Sequence, residues 1–216
     1  MEIRRTANAG ILLKLDGVTL LLDGVSQAVQ SYLATPPDIR DCLLSSPPDA
    51  LVFTHWHEDH YDPDFAAAYQ RSTDGVIIGP QDLIGISPVC KKTKIGTVSV
   101  IPVKSRHIGK VSGCEHFSYV IQGSKTIYFF GDASPLQWHP EEIFHKPDVV
   151  VVPFAYASSA SSWKLTRALG AKTVVVIHMP SRTNDPMNLW KSVENTIADD
   201  CDVDIRIPTI GETIFI

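Results

Sequence analysis

The sequence contains few cysteines, and none of them form a recognisable pair. Only four are present among 216 residues, and no CxxC spacing occurs between them. They are Cys42, Cys90, Cys114 and Cys201. In a chain of this length such scattering favours reduced thiols in a cytoplasm over a disulfide framework.

Excess basic charge and long apolar runs are also missing. The 19 Lys and Arg residues are outnumbered by 24 Asp and Glu residues, which gives a net charge of -5 and no general attraction to nucleic acid. Asp16 and Gly17 interrupt the apolar stretch that starts at Ile11, so no membrane span is expected. No long apolar segment follows Arg4 and Arg5, and we therefore expect no signal peptide.

The composition that remains is that of a globular protein. Hydrophobic residues make up 44% of the chain and charged residues 20%, without repeats or low-complexity segments. This predicts one domain spanning 1–216. Short apolar runs mixed with helical segments favour an α/β layered sandwich. The oligomeric state has no signal in the sequence.

Turn residues and apolar runs locate the elements. Strands are predicted at Gly10–Leu15, Val18–Leu22, Ala50–Phe53, Val76–Ile78, Val98–Val103, Phe117–Ile121, Thr126–Phe130, Val149–Val152, Thr173–Ile177 and Thr213–Ile216. Helices are predicted at Pro63–Arg71, Trp163–Leu169 and Pro186–Ala198, and around Glu141 and Glu142 between His139 and His145. Pro36-Pro37 and Pro47-Pro48 predict loops.

The most informative segment is the hexapeptide that begins at His55, directly after an apolar run. It contains four potential metal ligands, namely His55, His57, Asp59 and His60. Side chains two residues apart in an extended backbone point the same way, so the first two histidines can converge on one ion. Imidazole and carboxylate ligands suit a divalent metal such as zinc.

Three further apolar runs deliver a potential ligand close to their carboxyl ends. These ligands are His107, Asp132 and His178. If the strands lie side by side, their ligands gather at one rim. The count fits two ions: His55, His57 and His107 for one, and Asp59, His60 and His178 for the other, with Asp132 bridging. Paired metals can share a hydroxide that attacks a substrate.

This pattern resembles the metallo-β-lactamase superfamily, whose H-x-H-x-D-H signature stands here at 55–60. The later matches are His107, Asp132 and His178, and Asp23 matches the early strand-end aspartate. The resemblance implies a four-layered αββα sandwich and a dinuclear metal-dependent hydrolase. The compact chain is most similar to the lactonase and phosphodiesterase-like branch. The diiron redox branch usually has glutamate where His57 stands.

The predicted function is metal-dependent hydrolysis of an ester, lactone, amide or phosphoester bond in a small molecule. Zinc is the expected metal, with manganese, iron or nickel as alternatives. Asp59 is the candidate for proton transfer, because a carboxylate facing the metals can accept a proton from water. Three other functions stay open: phosphodiester or nuclease-like cleavage, metal binding without catalysis, and oxidoreductase chemistry.

Several residues near the predicted ligands have two interpretations. Asp23 is either a turn residue or a residue that orients a ligand histidine. His116 either contacts a ligand or the substrate, or is a hydrogen-bonded histidine of a strand. Lys104, Arg106 and Arg182 can hold an anionic substrate group, with solvated surface charge as the alternative. Trp56 is expected to pack away from the two histidines that flank it.

Overall fold

The computed structural model describes residues 1–30, 32–81, 83, 86–109, 113–137 and 146–216. The strands in these ranges are β1 (Glu2–Arg5), β2 (Ile11–Leu15), β3 (Val18–Leu22), β4 (Ala50–Val52), β5 (Val76–Ile78), β6 (Thr93–Ile95), β7 (Val98–Ser105), β8 (His116–Gln122), β9 (Thr126–Phe129), β10 (Val149–Pro153), β11 (Thr173–Ile177), β12 (Asp204–Arg206) and β13 (Thr213–Phe215). The α-helices are α1 (Pro37–Ser45), α2 (Pro63–Ser72), α3 (Ala160–Ala168) and α4 (Leu189–Ile197).

The strands form two mixed sheets. The first has the order β13-β1-β2-β3-β4-β5, and the second has the order β12-β11-β10-β9-β8-β7-β6. Within the first sheet β3, β4 and β5 are parallel, and within the second β9 to β12 are parallel. The long β7 and β8 pair antiparallel from Ser99 opposite Gln122 to Ser105 opposite His116.

A tight turn at Asp16 and Gly17 joins β2 and β3 into a hairpin. Asp16 and Gly17 both have positive φ angles, 52° and 80°, which two-residue hairpin turns of this kind require. Leu15 pairs with Val18 directly across the turn. The Asp16 carboxylate also accepts hydrogen bonds from the backbone and hydroxyl of Ser124, and so connects this hairpin to the other sheet.

Three buried clusters define four layers. The central cluster lies between the sheets and contains inward side chains such as Leu13 and Leu20 of the first sheet and Val151 and Val175 of the second. A second cluster packs α1 and α2 on the outer face of the first sheet. A third packs α3 and α4 on the outer face of the second sheet. The result is an αββα sandwich, the arrangement that the family resemblance implied.

Neighbouring valines of β10 show how the layers arise. Val149 and Val151 join the central cluster, whereas Val150 and Val152 face α3 and α4. Alternate side chains of a strand point to opposite faces, so a strand apolar at every position must be covered on both sides. In the described part of the chain, no helix has both the length and the apolar character that crossing a membrane requires.

Some predicted boundaries were wrong. Pro37 begins α1 rather than a loop, since proline is tolerated in the first turn of a helix. The last helix begins at Leu189 rather than Pro186, although the Asp185 carboxylate still accepts from the backbone of Leu189 and Trp190. Strands β1, β6 and β12 were missed because each is short and carries charged residues that interrupt its apolar pattern. The helix predicted around Glu141 lies outside the described residues.

Candidate metal centre

The strands that precede the predicted ligands all end at the same side of the sandwich. β3 and β4 run parallel in one sheet, and β7, β9 and β11 share one direction in the other. Two contacts join the sheets beside this edge: the Phe117 N–H donates to the Thr54 carbonyl at 3.0 Å, and the Tyr119 hydroxyl donates to the Phe53 carbonyl at 2.8 Å. The carboxyl ends of the strands that precede the predicted ligands therefore meet at one edge of the two packed sheets.

The hexapeptide leaves β4 and turns back on itself. The backbone N–H groups of His60 and Tyr61 both donate to the His57 carbonyl, at 2.9 and 2.8 Å. The following Asp62 caps α2 by accepting from the Phe65 backbone at 2.9 Å. This turn brings the fourth ligand back beside the first, and the His55 and His60 ring centroids are 4.2 Å apart.

The loops after β7 and β9 hold each other in place. Ile108 N–H donates to the Asp132 carbonyl and Ser134 N–H donates to the Arg106 carbonyl, both at 2.7 Å. The His107 Nδ1 lies 2.6 Å from the Ile108 carbonyl oxygen. A nitrogen in that position carries the proton and donates it, which leaves the Nε2 of His107 free to bind a metal.

The structure brings all seven predicted ligands together. Asp132 is central, with carboxylate oxygens 3.4 Å from His60 Nε2 and 3.6 Å from both His107 Nε2 and His178 Nε2. A carboxylate oxygen of Asp59 lies 3.2 Å from His178 Nε2. Three sets have ligand atoms that all lie within 4.8 Å of one another: His55 with His57 and His107, His55 with His60 and Asp132, and Asp59 with His60 and His178.

Unsatisfied atoms show that these residues fit bound cations. His60 Nε2, His107 Nε2 and Asp132 Oδ1 are buried and have no hydrogen-bond partner among the described residues. A buried polar atom without a partner is costly, and all three point into one cluster. Nitrogen and carboxylate oxygen donors suit zinc, and also manganese, iron and nickel.

The charges of the cluster favour bound cations as well. Burial opposes ionisation of Asp132, yet the neighbouring His178 and His60 hold its pKa well below the ordinary range. Burial likewise opposes protonation of His60, but the flanking carboxylates, Asp132 above all, raise its pKa well above the usual value. Without a metal, a proton on this ring supplies the positive charge that these carboxylates attract, and a bound cation would replace it. Burial and the adjacent histidines depress the pKa of His55, which keeps that ring neutral, as a metal ligand must be.

Asp23 contacts one ligand directly and a second through a threonine. Its fully buried carboxylate accepts from the Thr54 backbone at 2.8 Å, from the Thr54 hydroxyl at 2.6 Å and from His60 Nδ1 at 2.9 Å. Thr54 Oγ1 is also 2.9 Å from His55 Nδ1. Because its hydrogen goes to Asp23, this oxygen accepts from His55. Of the two interpretations from sequence, the geometry favours orientation of ligand histidines.

His116 lies beneath the cluster in a chain of hydrogen bonds. Its Nε2 accepts from the Asp132 N–H at 3.1 Å, so the proton is on Nδ1, which donates to the Ser105 hydroxyl at 2.8 Å. Ser105 is 3.0 Å from the Ser118 hydroxyl, which donates to the Phe130 carbonyl at 3.0 Å. Burial lowers the His116 pKa to about 3, which keeps the ring neutral.

A depression of about 260 Å³ opens over the cluster. Sequence reasoning missed five of its lining residues because no motif marks them; these are Val29, Gln30, Tyr32, Ile108 and Phe154. Tyr32 contacts the edge of His178 with ring centroids 4.6 Å apart. Burial and the negative charge of Asp132 raise the Tyr32 pKa, so the phenol stays protonated at neutral pH.

The remaining residues that were predicted near the ligands lie in different surroundings. The packing predicted for Trp56 was wrong: its side chain is partly exposed, and its ring contacts His57 at 4.8 Å between centroids. Lys104 is exposed and pairs with Glu115 at 3.9 Å. Arg106 is also exposed, and Arg182 lies over the Trp190 ring at 3.7 Å. None of these three cations lines the depression among the residues that the structure describes.

Comparison with known proteins gives a match in structure but not in sequence. No protein-family model matches the chain, and no curated protein does. The isothiocyanate hydrolase from Delia radicum gut bacteria is 21% identical, with a TM-score of 0.74 over 100% of this chain and 99% of that one. The metallo-β-lactamase fold protein YhfI from Bacillus subtilis is 15% identical, with a TM-score of 0.65 over 99% of both chains.

CmlA, a diiron β-hydroxylase from Streptomyces venezuelae, is 14% identical, with a TM-score of 0.72 over 100% of this chain but 54% of that one. Similarity at these identities establishes the fold. The chain therefore has the metallo-β-lactamase fold that the ligand motif implied.

Proposed function

We propose that the protein is a metal-dependent hydrolase that uses two divalent ions, most simply zinc, to activate water. The observation that carries this proposal is the convergence of seven His and Asp side chains in which three buried ligand atoms have no partner among the described residues. Two ions bound there supply Lewis acidity and lower the pKa of water to near 7. Solved structures with the same fold include an isothiocyanate hydrolase.

The residues of the chain have distinct roles in this proposal. Asp132, within 3.6 Å of three histidines, holds the two ligand sets together. Asp59 accepts the proton of the attacking water and returns it to the leaving group. Its pKa lies below the ordinary value, because hydrogen bonding to His178 and the charges of His60 and His178 outweigh burial, so it is ionised at neutral pH.

The substrate that fits best has a carbonyl-type carbon: an ester, a lactone, an amide or a related electrophile. Phosphodiester enzymes stabilise a charged phosphoryl group, for which Arg and Lys are the usual side-chain partners. The described lining of the depression contains no Lys or Arg. This lining favours a substrate whose reacting group is uncharged, and makes phosphodiester cleavage the weaker alternative.

Metal analysis and a substrate panel test the proposal together. Protein purified without chelators is expected to hold about two divalent ions, and the loaded protein is expected to hydrolyse phenyl acetate, a γ-lactone or phenyl isothiocyanate faster than bis-p-nitrophenyl phosphate. Replacement of His55, His57 or Asp132 with alanine removes both metal and activity. Tightly held iron with oxygen consumption would support an oxidoreductase instead, and loaded protein that hydrolyses nothing would overturn the proposal.

A further inference from the structure

A second cavity adjoins the candidate metal centre on the other side of Tyr32. Its volume is about 340 Å³, within the range of roughly 300–1,000 Å³ that is typical of small-molecule sites. Tyr32 lines both this cavity and the depression over the cluster. The two spaces are therefore neighbours that share one lining side chain.

The backbone also connects the cavity to the proposed ligands. Met179, which lines the cavity, directly follows His178. Asn8 lines it as well, and the Asn8 carbonyl accepts from the His178 N–H at 3.0 Å. A group bound in the cavity thus lies one residue away from a ligand of the proposed centre.

Large apolar side chains form much of the wall. Leu33 stands at the rim with 62% of its surface exposed, while Met179 and Trp190 are buried. The Trp190 Nε1 donates to the Pro180 carbonyl at 2.8 Å, so the polar atom of this side chain is already satisfied. What the wall offers to a ligand is therefore mostly apolar surface.

The charges at the cavity disfavour a cation. Arg5 and Arg182 both line it, and no Asp or Glu does so among the described residues. Arg182 is paired with Glu194 at 2.8 Å, so the charge that opposes a cation here is mainly that of Arg5. The Arg5 guanidinium is almost fully buried, and burial lowers its pKa to about 10. It donates to the carbonyls of Ala7, Asn8, Met179 and Pro208. These bonds fix the wall but bring no negative charge to it.

We propose that this cavity binds an apolar alkyl or aryl group of the substrate while the bond to be cleaved lies at the metal centre. The inference rests on the proposed hydrolase function and narrows its substrate class to molecules with such a group and no positive charge on it. Tyr32, which lines both spaces, is the residue past which the substrate extends from the cavity to the metal centre.

Binding of simple alcohols tests the cavity without relying on catalysis. Affinities of 1-butanol and 1-hexanol for the metal-loaded protein, measured by NMR titration, are expected to differ about fourfold per added methylene group. Hexylamine is expected to bind at least tenfold more weakly than 1-hexanol. Leu33→Asn at the rim should weaken 1-hexanol several-fold, whereas Leu136→Asn, a similarly exposed leucine that lines neither space, should not.

Measurements of ester hydrolysis then test whether the cavity takes part in the reaction. The loaded protein is expected to have a higher kcat/KM for phenyl hexanoate than for phenyl acetate, and Leu33→Asn should reduce that preference while Leu136→Asn leaves it unchanged. Affinities that do not depend on chain length or on Leu33, in a protein that still hydrolyses esters, overturn the inference alone. Length-dependent binding in a protein that hydrolyses no substrate overturns the proposed function instead.

Discussion

The backbone N–H of Asp132 donates to Nε2 of His116, a buried neutral ring, at 3.1 Å. This hydrogen bond fixes the Asp132 backbone and so positions the carboxylate at the centre of the cluster. His116→Leu removes the acceptor and is expected to lower metal affinity about 10–100-fold. His116→Gln, whose side-chain oxygen can accept the same bond, should restore most of it. Titration with a chromophoric zinc chelator measures this, and equal affinities for both variants would contradict a positioning role.

Asp23 fixes the tautomer of His60 by accepting from its Nδ1. In Asp23→Asn the amide can present N–H groups to that ring, so Nε2 no longer has to be the free nitrogen. We expect metal stoichiometry by mass spectrometry to fall toward one ion per chain. Asp49→Asn is the matched control, because Asp49 accepts from the backbone and hydroxyl of Thr19 far from the cluster. Two ions in the Asp23 variant would argue against the assignment.

Removing the metals should destabilise the fold. Three buried ligand atoms lose their partners, at about 1–3 kcal/mol each, which corresponds to a fall in Tm of at least about 5–10 °C for a domain of this size. Thermal unfolding with and without EDTA measures the difference. His107→Ala, which removes one of these atoms, should respond less to EDTA, and superimposable wild-type curves would count against bound ions.

Asp59 is expected to affect turnover more than metal content. Asp59→Asn keeps an oxygen donor near His178 but cannot accept a proton, so kcat should fall about 10²–10⁴-fold. Glu58→Gln, an exposed neighbour, should leave kcat unchanged. Single-turnover kinetics on variants of verified metal content make the comparison. An Asp59→Asn enzyme with wild-type kcat would assign the proton transfer elsewhere.

Asp200 should stabilise the outer helical layer in a pH-dependent way. It accepts from Trp163 Nε1 at 2.9 Å and pairs with Arg167, and these contacts outweigh burial and lower its pKa. Because the pKa is lower in the folded protein than in the unfolded chain, the ionised carboxylate stabilises the fold above pH ~4. This stabilisation is lost as the pH falls through the pKa of the folded protein. Asp200→Asn should lower Tm by about 2 °C at pH 7.

The difference in Tm between the wild-type protein and Asp200→Asn should disappear below pH ~4. Asp202→Asn serves as the control, because Asp202 pairs with the same Arg167 but is largely exposed, and its effect is expected to be smaller at every pH. If the Tm difference between the wild-type protein and Asp200→Asn increased on acidification, the ionised carboxylate would not be the stabilising form.

The hexapeptide shows which parts of the site can be predicted from the sequence. Its ligand types and their position after an apolar run predicted the cluster, and the runs before His107, Asp132 and His178 predicted which distant residues join it. Gln30 and Tyr32 carry no comparable pattern, because a loop that lines a site is placed by the elements around it. Trp56 illustrates the same limit: strand alternation no longer applies once the chain has left β4.

The sequence by itself determined the layered α/β architecture and which seven His and Asp residues were expected to converge, because apolar periodicity and the chemistry of potential ligands are local properties of the chain. Only the tertiary structure decided how His116 and Asp23 act, and that a cavity lies beyond Tyr32. Those relationships join residues from separate strands and loops, such as Asn8 with His178. They exist only after the two sheets have packed and fixed the distances between them.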